Sequence, residues 1–455
     1  MRSSSKFKSN ALLGTLLHLV VWSTLVLLGI SNAYAKPATT RKKYKAPIVK
    51  VQKSKVNKVK KSYVYKKRYL PIKPTRVIMS NPRDIKVEKS YSSKLELVSI
   101  IAGANGPNLS DLPKFESMLG GRVAGVTARR DLVLYSVDPG LQAFAEALIK
   151  KSPDPHIAIV AMEPSTGRIL AIADKSTTIP ALALHAGFPA ASLFKLVTTT
   201  AALEANAISP YTQISFRGGN YVLNEWNYRP NPKSDKRSMS VTEALGKSVN
   251  PVFARIALKH LSTSTLRQYA QAFGFNSEIE FDTALAPSSA SIPFDDYGLS
   301  RTAAGFGEVH ISPVHAAALM SGIANDGLMP RPTLIERILS ASGETLYQPQ
   351  DKPTRRIARS ATAQTLLRMM QSTTTTGTSR KEFMIKSTPV LPGISVAAKT
   401  GTLKGQNPAG LNNWFIGAAP LGKPRIAVSV IVVDPHGIST KASKLGRLMI
   451  QQYLK

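Results

Sequence analysis

The sequence predicts an α+β fold in which an antiparallel sheet is flanked by helices and stands beside an all-helical lobe. Continuous apolar segments of strand length lie near both ends of the globular part of the chain, and segments with helical spacing lie between them. The 455 residues contain no cysteine, and 43% of them are apolar. We therefore expect a core formed by burial alone, and disulfides, thiol catalysis and Cys-ligated zinc are excluded.

The main domain is expected over residues 131–455 and opens with strands. A tight turn at 164–167 indicates a hairpin, and residues 139–151 place apolar side chains on one face of a helix. A small helical module of one or two short helices is predicted before this domain, over residues 95–130. The opening strands are predicted at 132–135, 157–162 and 168–173.

The middle of the domain predicts helices, and its end predicts strands. Residues 210–240 are rich in Gly, Pro, Asn and charge, which predicts a loop. A last helix at about 440–454 has an apolar face that fits the sheet. The other helices are predicted at 189–204, 241–247, 251–261, 313–324 and 361–372, and the closing strands at 394–399, 413–419 and 425–433.

Residues 1–35 resemble an export segment. A positive start is followed by an uncharged stretch over residues 11–30, and Ala33 and Ala35 are small residues of the kind that a signal peptidase reads. The uncharged stretch is also long enough to span a bilayer. The segment is thus either a signal peptide cleaved after Ala35 or a retained membrane anchor, and in both cases the remaining chain lies outside the cytoplasm.

A basic linker over residues 36–94 holds most of the excess charge. The formal net charge is +33, and the first 90 residues carry 22 basic and two acidic side chains. Self-repulsion and few large apolar residues predict a disordered tether. It is either a solvated spacer or a segment that binds an anionic surface through residues 41–90. An export segment in front of it argues against a nucleic-acid partner.

Three short motifs occur in a fixed order along the chain. Ser192 and Lys195 are three residues apart at the start of a predicted helix and so share a face. A partly desolvated lysine beside other cations loses proton affinity and becomes a base for the serine. Backbone N–H groups at a helix start suit an oxyanion. The other two motifs are Ser248-Val249-Asn250 and Lys399-Thr400-Gly401-Thr402.

These two motifs add groups that an acyl transfer needs. Ser248 lies in a break between helices, where its hydroxyl is placed to pass a proton to a leaving amine, and Asn250 is placed to hold a substrate amide. Lys399, at the end of a predicted strand, offers a positive charge to a substrate carboxylate. Gly401 leaves room for a peptide that adds to the strand edge.

Each motif taken singly has a structural alternative. Ser192 has the residue type of a helix N-cap, and Lys195 alone fits a solvated helix position. Ser248 and Asn250 fit a turn or a cap, and the third motif fits a plain strand end. The order of the three motifs in an exported chain is what favours one active site. No metal site and no cofactor are expected, because His310 and His315 are five residues apart and lack a third ligand.

With these motifs the chain resembles the transpeptidase domain of penicillin-binding proteins, serine acyltransferases that share their fold with β-lactamases. The resemblance covers about residues 132–455 and includes segments 157–171, 305–313 and 413–420. It implies that Ser192 attacks the D-Ala-D-Ala carbonyl of a peptidoglycan stem peptide. It further implies that Lys195 is the base, that the Ser192 and Thr402 N–H groups form the oxyanion hole, and that Thr400, Gly401 and Thr402 bind substrate. β-Lactams would acylate the same serine.

The resemblance also places the protein in the periplasm or on the outer face of the inner membrane of a bacterium. There the basic linker would meet an anionic membrane or the cell wall. Too few residues precede the domain for a glycosyltransferase, which implies a compact monofunctional member. Ala190-Ala191 replaces the usual Pro-Gly before the nucleophile, and Phe306 replaces Gln in the common Gly-Gln-Gly.

Several rival functions use the same residues. A D,D-carboxypeptidase sends the acyl group to water, and a serine β-lactamase hydrolyses the β-lactam adduct quickly. A non-catalytic wall-binding protein would use the tether and keep a retired domain. The acceptor amine, the cleavage of the signal and the oligomeric state stay open.

Overall fold

The computed structural model describes residues 115, 117–119, 122–127, 130–349 and 353–455. The expectations for residues 1–35, 36–94 and 95–114 therefore fall outside the described part of the chain. None of the helices described is long and apolar enough to cross a membrane.

Strands make up the two ends of the domain. Within the described residues they are β1 (Ser117–Leu119), β2 (Arg122–Val126), β3 (Leu132–Tyr135), β4 (His156–Met162), β5 (Ile169–Lys175), β6 (Phe188–Pro189), β7 (Gln213–Phe216), β8 (Arg237–Ser240), β9 (Ser289–Ala290), β10 (Val309–Ile311), β11 (Leu328–Pro330), β12 (Ile335–Leu339), β13 (Thr345–Tyr347), β14 (Pro353–Arg356), β15 (Met384–Ile385), β16 (Thr388–Pro389), β17 (Ala397–Gln406), β18 (Ala409–Ala419) and β19 (Ile426–Asp434).

Helices fill most of the interval between the strands. The α-helices of the described residues are α1 (Pro139–Lys151), α2 (Lys195–Glu204), α3 (Val241–Lys247), α4 (Asn250–His260), α5 (Thr263–Ala272), α6 (Asp296–Ala303), α7 (Pro313–Ala324), α8 (Ser360–Met370), α9 (Ser372–Thr375), α10 (Arg380–Phe383) and α11 (Ala442–Leu454). Two short 3₁₀ turns occur at Leu182–Leu184 and Ala191–Phe194.

The central sheet is antiparallel and has the spatial order β17–β18–β19–β4–β5. Every residue of β4 and β19 is buried, because helices cover both faces. α7 packs on one face, and α1 and α11 pack on the other. The predicted α+β class and its antiparallel sheet are confirmed. β17 is the edge strand, so one of its sides is open to a ligand.

α2 is the centre of the helical lobe. All residues from Lys195 to Leu203 are buried, since α4, α5, α6 and α8 surround the helix. A helix that is buried on every face is expected only in such a central position. The helix therefore holds its first residue, Lys195, away from solvent.

Three predicted boundaries are wrong in ways that matter for the site. The strand predicted at 394–399 starts at Ala397 and continues to Gln406, so Lys399 to Thr402 lie inside β17. The sequence beyond residue 401 is polar because an edge strand exposes half of its side chains, and apolar patterning did not detect it. The helix predicted from 189 begins at Lys195, after the 3₁₀ turn.

Two other regions also differ from expectation. Residues 210–240 are not all loop, because β7 and β8 pair as a hairpin. The helical prediction for 95–130 is wrong where the structure describes it, because β1 and β2 are strands of a second sheet ordered β1–β2–β3–β12–β13. The partner of β3 in that sheet, β12, lies about 200 residues downstream, so local sequence gave no sign of the pairing.

Candidate active site

Ser192 lies in the 3₁₀ turn that leads into α2. The α2 N-cap is Phe194, so the structure does not use Ser192 as an α-helix N-cap. Ala191 has a φ of 50°, a left-handed conformation that is strained for a residue with a Cβ. Gly305 faces this turn, and a Cβ on it would come 2.1 Å from the Ala191 carbonyl oxygen. Both observations indicate a turn held in place by its neighbours.

Lys195 contacts the Ser192 hydroxyl from behind. Its Nζ lies 2.7 Å from Ser192 Oγ, 2.7 Å from Asn250 Oδ1 and 2.5 Å from the Ala304 carbonyl oxygen. The side chain is fully buried, so a solvated helix position is excluded. Burial, and then repulsion from Lys399, hold the pKa of Lys195 well below its usual value. The contact that the i, i+3 spacing predicted is therefore present.

Ser248 and Lys399 form a second serine–lysine pair. Ser248 is the left-handed C-cap of α3, with a φ of 58°. Lys399 Nζ donates to Ser248 Oγ at 2.9 Å and to the Thr400 carbonyl oxygen at 2.8 Å. Burial lowers the pKa of Lys399 to about 7. The sequence predicted that Lys399 offers a positive charge to a substrate carboxylate, and the structure places its ammonium fully buried behind the Ser248 hydroxyl.

Asn250 links the two pairs to the loop above them. Besides accepting from Lys195, its side chain donates from Nδ2 to the Tyr221 carbonyl oxygen at 2.7 Å. Its backbone N–H donates to the Asn220 carbonyl oxygen at 2.7 Å. Sequence reasoning assigned Asn250 to a substrate amide and missed its contact with Lys195, since 55 residues separate the two.

The loop that carries Tyr221 is fixed by a buried ion-pair cluster. Asp235 accepts from both Arg217 and Arg255, and all three side chains are at least 90% buried. Arg255 belongs to α4, the helix that begins at Asn250, so the loop and Asn250 are held to the same element. The cluster was not predicted, because its members are separated by loop sequence without periodicity.

The edge strand β17 forms the opposite wall. A Cβ on Gly401 would come 3.4 Å from the Ser192 nitrogen, so the strand runs directly beside the nucleophile turn. Thr400 Oγ1 lies 2.5 Å from Thr378 Oγ1, and Thr402 Oγ1 accepts from Asn413 Nδ2 at 3.2 Å. The two threonines lie on the other face of the strand from Lys399 and Gly401.

A cleft of about 440 Å³ joins these elements. Ser192, Ser248, Asn250 and the strand residues 400–402 all line it, whereas Lys195 and Lys399 lie behind the two serines. The structure thus brings together all eight residues that the sequence singled out. Its lining also includes residues that the motifs did not indicate: Tyr221, Phe306, Asn413, Lys441 and Ser443.

The remaining candidates have structural roles. His315 is buried, and its Nε2 lies 2.7 Å from the Phe273 carbonyl oxygen. Asp295 caps α6 by accepting from the Gly298 N–H. Trp226 lies outside the cleft, where its ring stacks on Arg217. No group of three or more potential ligands able to hold a metal ion occurs in the part of the chain that the structure describes.

Comparison with known proteins adds independent findings. The family model of the penicillin binding protein transpeptidase domain matches residues 157–450. The peptidoglycan D,D-transpeptidase PbpA of Mycolicibacterium smegmatis is 28% identical over 312 residues, which is 61% of this chain and 62% of that protein. PbpA of Mycobacterium tuberculosis is 28% identical over 311 residues, 60% of this chain and 61% of that protein. The chain spans about three fifths of the length of these curated relatives.

Solved structures give the same result. The ceftriaxone acyl-enzyme complex of penicillin-binding protein A from M. tuberculosis is 26% identical, with a TM-score of 0.58 over 71% of this chain and 80% of that chain. The D,D-transpeptidase domain of a peptidoglycan glycosyltransferase from Eggerthella lenta has a TM-score of 0.60, covers 71% of this chain and 82% of its own, and at 22% identity supports the fold alone.

Proposed function

The chain belongs to the penicillin-binding protein transpeptidase family, and from this premise we propose that it is a peptidoglycan D,D-transpeptidase that works through an acyl-enzyme on Ser192. The observation that carries the proposal is the buried Lys195, whose Nζ lies 2.7 Å from the hydroxyl of Ser192. A serine needs such an adjacent base, because its own pKa leaves it protonated at neutral pH.

The contacts of Lys195 suit a neutral amine, which has two N–H groups and one lone pair. Asn250 Oδ1 and the Ala304 carbonyl oxygen are acceptors only, so they take the two N–H groups. The lone pair is then left for the Ser192 O–H. In the acylation step, Ser192 Oγ bonds to the carbonyl carbon of the penultimate D-Ala while its proton moves to Lys195.

The collapse of the tetrahedral intermediate breaks the amide C–N bond. The backbone N–H groups of Ser192 and Thr402 stabilise the oxyanion. Ser248, supported by Lys399, passes its proton to the departing D-Ala nitrogen, and the proton that Lys195 took from Ser192 then replaces it on Ser248. The amine of a second stem peptide then attacks the acyl-enzyme and restores the free serine. Thr400, Gly401 and Thr402 hold the donor peptide along the open edge of β17.

The test is intact-mass spectrometry of the protein during exposure to benzylpenicillin. We expect one adduct on Ser192 that persists for hours, and no adduct in Ser192→Ala. Ser248→Ala is the matched control, because it removes a cleft hydroxyl that is not the nucleophile. It should slow labelling without abolishing it.

Each other outcome has a definite meaning. Destruction of the penicillin without an adduct would assign the protein as a β-lactamase, and intact penicillin without an adduct would indicate a non-catalytic wall-binding protein. Release of D-Ala from a stem pentapeptide without formation of a cross-link when an amine acceptor is supplied would indicate a D,D-carboxypeptidase.

We further propose that the protein is exported and acts in the periplasm or on the outer face of the inner membrane. Its parts would follow in the order leader, basic tether and catalytic domain. The support is the sequence of residues 1–90, with its apolar leader and 22 basic side chains. The tether would hold the domain near an anionic membrane or the cell wall, at about 1 kcal/mol per basic residue close to such a surface.

Deletion of residues 41–90 tests the role of the tether. The protein without residues 41–90 should bind benzylpenicillin as the full chain does. Its retention on anionic vesicles or on isolated cell wall should be lower than that of the full chain at low salt, where salt screens the attraction of the basic residues least. Equal retention of both proteins would leave the segment as a spacer only.

A further inference from the structure

The end of the cleft beyond Thr402 is formed by the start of α11. Lys441 and Ser443 line it there. Asn413 joins the two elements, because its Nδ2 donates to Thr402 Oγ1 and its Oδ1 accepts from the Ala442 N–H at 3.0 Å. The family motifs do not include this end of the cleft, so the function described above has assigned it no ligand.

The helix start is held rigidly. Asp154 is fully buried and accepts from the Ser439 and Thr440 N–H groups at 2.8 and 2.9 Å. These contacts fix the segment that enters α11 at Lys441. Because α11 has 13 residues, its N-terminus carries the partial positive charge of a full helix dipole.

Ser443 points to a ligand at this position. The residue is 8% exposed and lines the cleft, yet its hydroxyl has no hydrogen-bond partner among the described residues. The hydroxyl faces the open cleft, where it is free to donate to a ligand. The side chain of Lys441, the N-cap residue of α11, makes no capping hydrogen bond to the backbone N–H groups at the helix start.

The charges around the cleft select the kind of ligand. Lys441 is the only charged residue among those described that line the cleft, and no acidic residue does so. Lys404 lies on the same face of β17 as Thr402, two residues further along, and is exposed. A cation, a free hydroxyl and a helix N-terminus in one place match a carboxylate.

The position along β17 selects which residue of the donor carries that carboxylate. A peptide added to a strand edge presents successive residues to opposite faces. In the proposed reaction the reacting carbonyl lies beside Ser192, on the Gly401 side of the strand, and the leaving D-Ala lies toward Lys399. With that orientation the residue before the D-Ala pair meets the face of Thr402, near Lys441.

We propose that Lys441, Ser443 and the N-terminus of α11 bind a carboxylate carried by the residue that precedes D-Ala-D-Ala in the donor peptide. This rests on the proposed transpeptidase function and adds the substrate class to it: the enzyme prefers donors that are anionic at that residue. The group binds without reacting, and its role is to hold the donor in register along β17.

Two penicillins provide the test, because carbenicillin differs from benzylpenicillin by one carboxylate on the side-chain carbon that corresponds to the α-carbon of the preceding residue. The measured quantity is the ratio of their second-order acylation rate constants, carbenicillin over benzylpenicillin. We expect Lys441→Ala to lower the ratio by about tenfold, Lys441→Glu to lower it further, and Ser443→Ala to lower it about threefold, in line with the loss of a charged hydrogen bond.

Lys444→Ala is the matched control, since Lys444 is an exposed lysine of the same helix that does not line the cleft. It should leave the ratio as in the parent protein, and the melting temperature of each variant checks its folding. A ratio that is the same in the parent protein and in Lys441→Glu would overturn the proposal. Failure of both penicillins to acylate the parent protein would instead overturn the transpeptidase function on which it rests.

Discussion

The two serine–lysine pairs of the cleft look alike and differ in charge. Ser192–Lys195 comes from a single turn of chain, whereas 151 residues separate Ser248 from Lys399. Both lysines are fully buried, so desolvation lowers the pKa of each. Repulsion from Lys399 lowers the pKa of Lys195 further. In the proposed mechanism Lys195 is the lysine that loses its proton first, while Lys399, whose pKa burial lowers to about 7, keeps its charge to about that pH.

This difference divides the work between chemically identical groups. In the proposed mechanism, neutral Lys195 accepts the proton of the nucleophile, and charged Lys399 supports Ser248, the serine that serves the leaving group. Neither pair would have this property alone, because the mutual repulsion of two buried cations separates their pKa values. Their separate roles depend on the fold bringing β17 against α2 and α3.

The largest effect is expected from removing one lysine at a time. Lys195→Met should lower the benzylpenicillin acylation rate by about 10³- to 10⁴-fold, the upper part of the range for a lost general base. Lys399→Met should lower it by about 10²-fold, comparable to a lost electrostatic contact. Stopped-flow acylation kinetics give both values. Equal losses in the two variants would break the comparison.

Methionine is chosen because it fills a similar buried volume without a charge. Removing either buried lysine relieves a desolvation cost, so the variants should unfold at temperatures close to that of the parent protein. Calorimetric unfolding checks this. A strongly destabilised Lys399→Met would mean that its lower rate reports folding and not charge.

Much of this arrangement could be predicted from the sequence. The features that could not be predicted depend on contacts between distant parts of the chain. The spacing of Ser192 and Lys195 fixes their contact because both lie on one continuous turn of chain. The apolar strands β4 and β19 were found because both faces of each are buried. The burial of Lys399 was not predicted, since it depends on which elements cover the strand.

The sequence also did not predict that Asn250 contacts Lys195 and the loop that carries Tyr221. These contacts join segments 55 and 29 residues apart, and no local pattern records such a distance. The strands β1 and β2 were taken for helix for the same reason, because their pairing with β3 and, through it, β12 is a long-range contact. Local propensity yields to tertiary pairing in such cases.

A smaller effect is expected from Asn250→Asp, which alters the Ser192–Lys195 pair and leaves the contact between Ser248 and Lys399 in place. Asn250→Asp places a carboxylate where Oδ1 now lies 2.7 Å from Lys195 Nζ, which raises the pKa of that lysine. At pH values low enough that Lys195 is still protonated, acylation should fall about tenfold, in line with a rise of about one pKa unit. Its dependence on pH should shift toward higher pH.

Asn250→Ala is the matched control for this change. It removes the contact with Lys195 without adding charge, so the acylation rate should fall. The acid limb, which is the low-pH part of the profile where the rate rises as Lys195 loses its proton, should shift less than in Asn250→Asp. Rate constants of both variants across the pH range give the answer. The same displacement of the acid limb in both would contradict an electrostatic cause.

The most direct test of the division of roles is the pH dependence of acylation in the parent protein and in Lys399→Met. In the parent protein the rate should rise with pH as Lys195 becomes neutral, and fall above about pH 7 as Lys399 loses its charge. In Lys399→Met the falling limb should disappear, and the rising limb should move to higher pH because the repulsion that lowers the pKa of Lys195 is gone. A falling limb near pH 7 that persists in Lys399→Met would contradict the account.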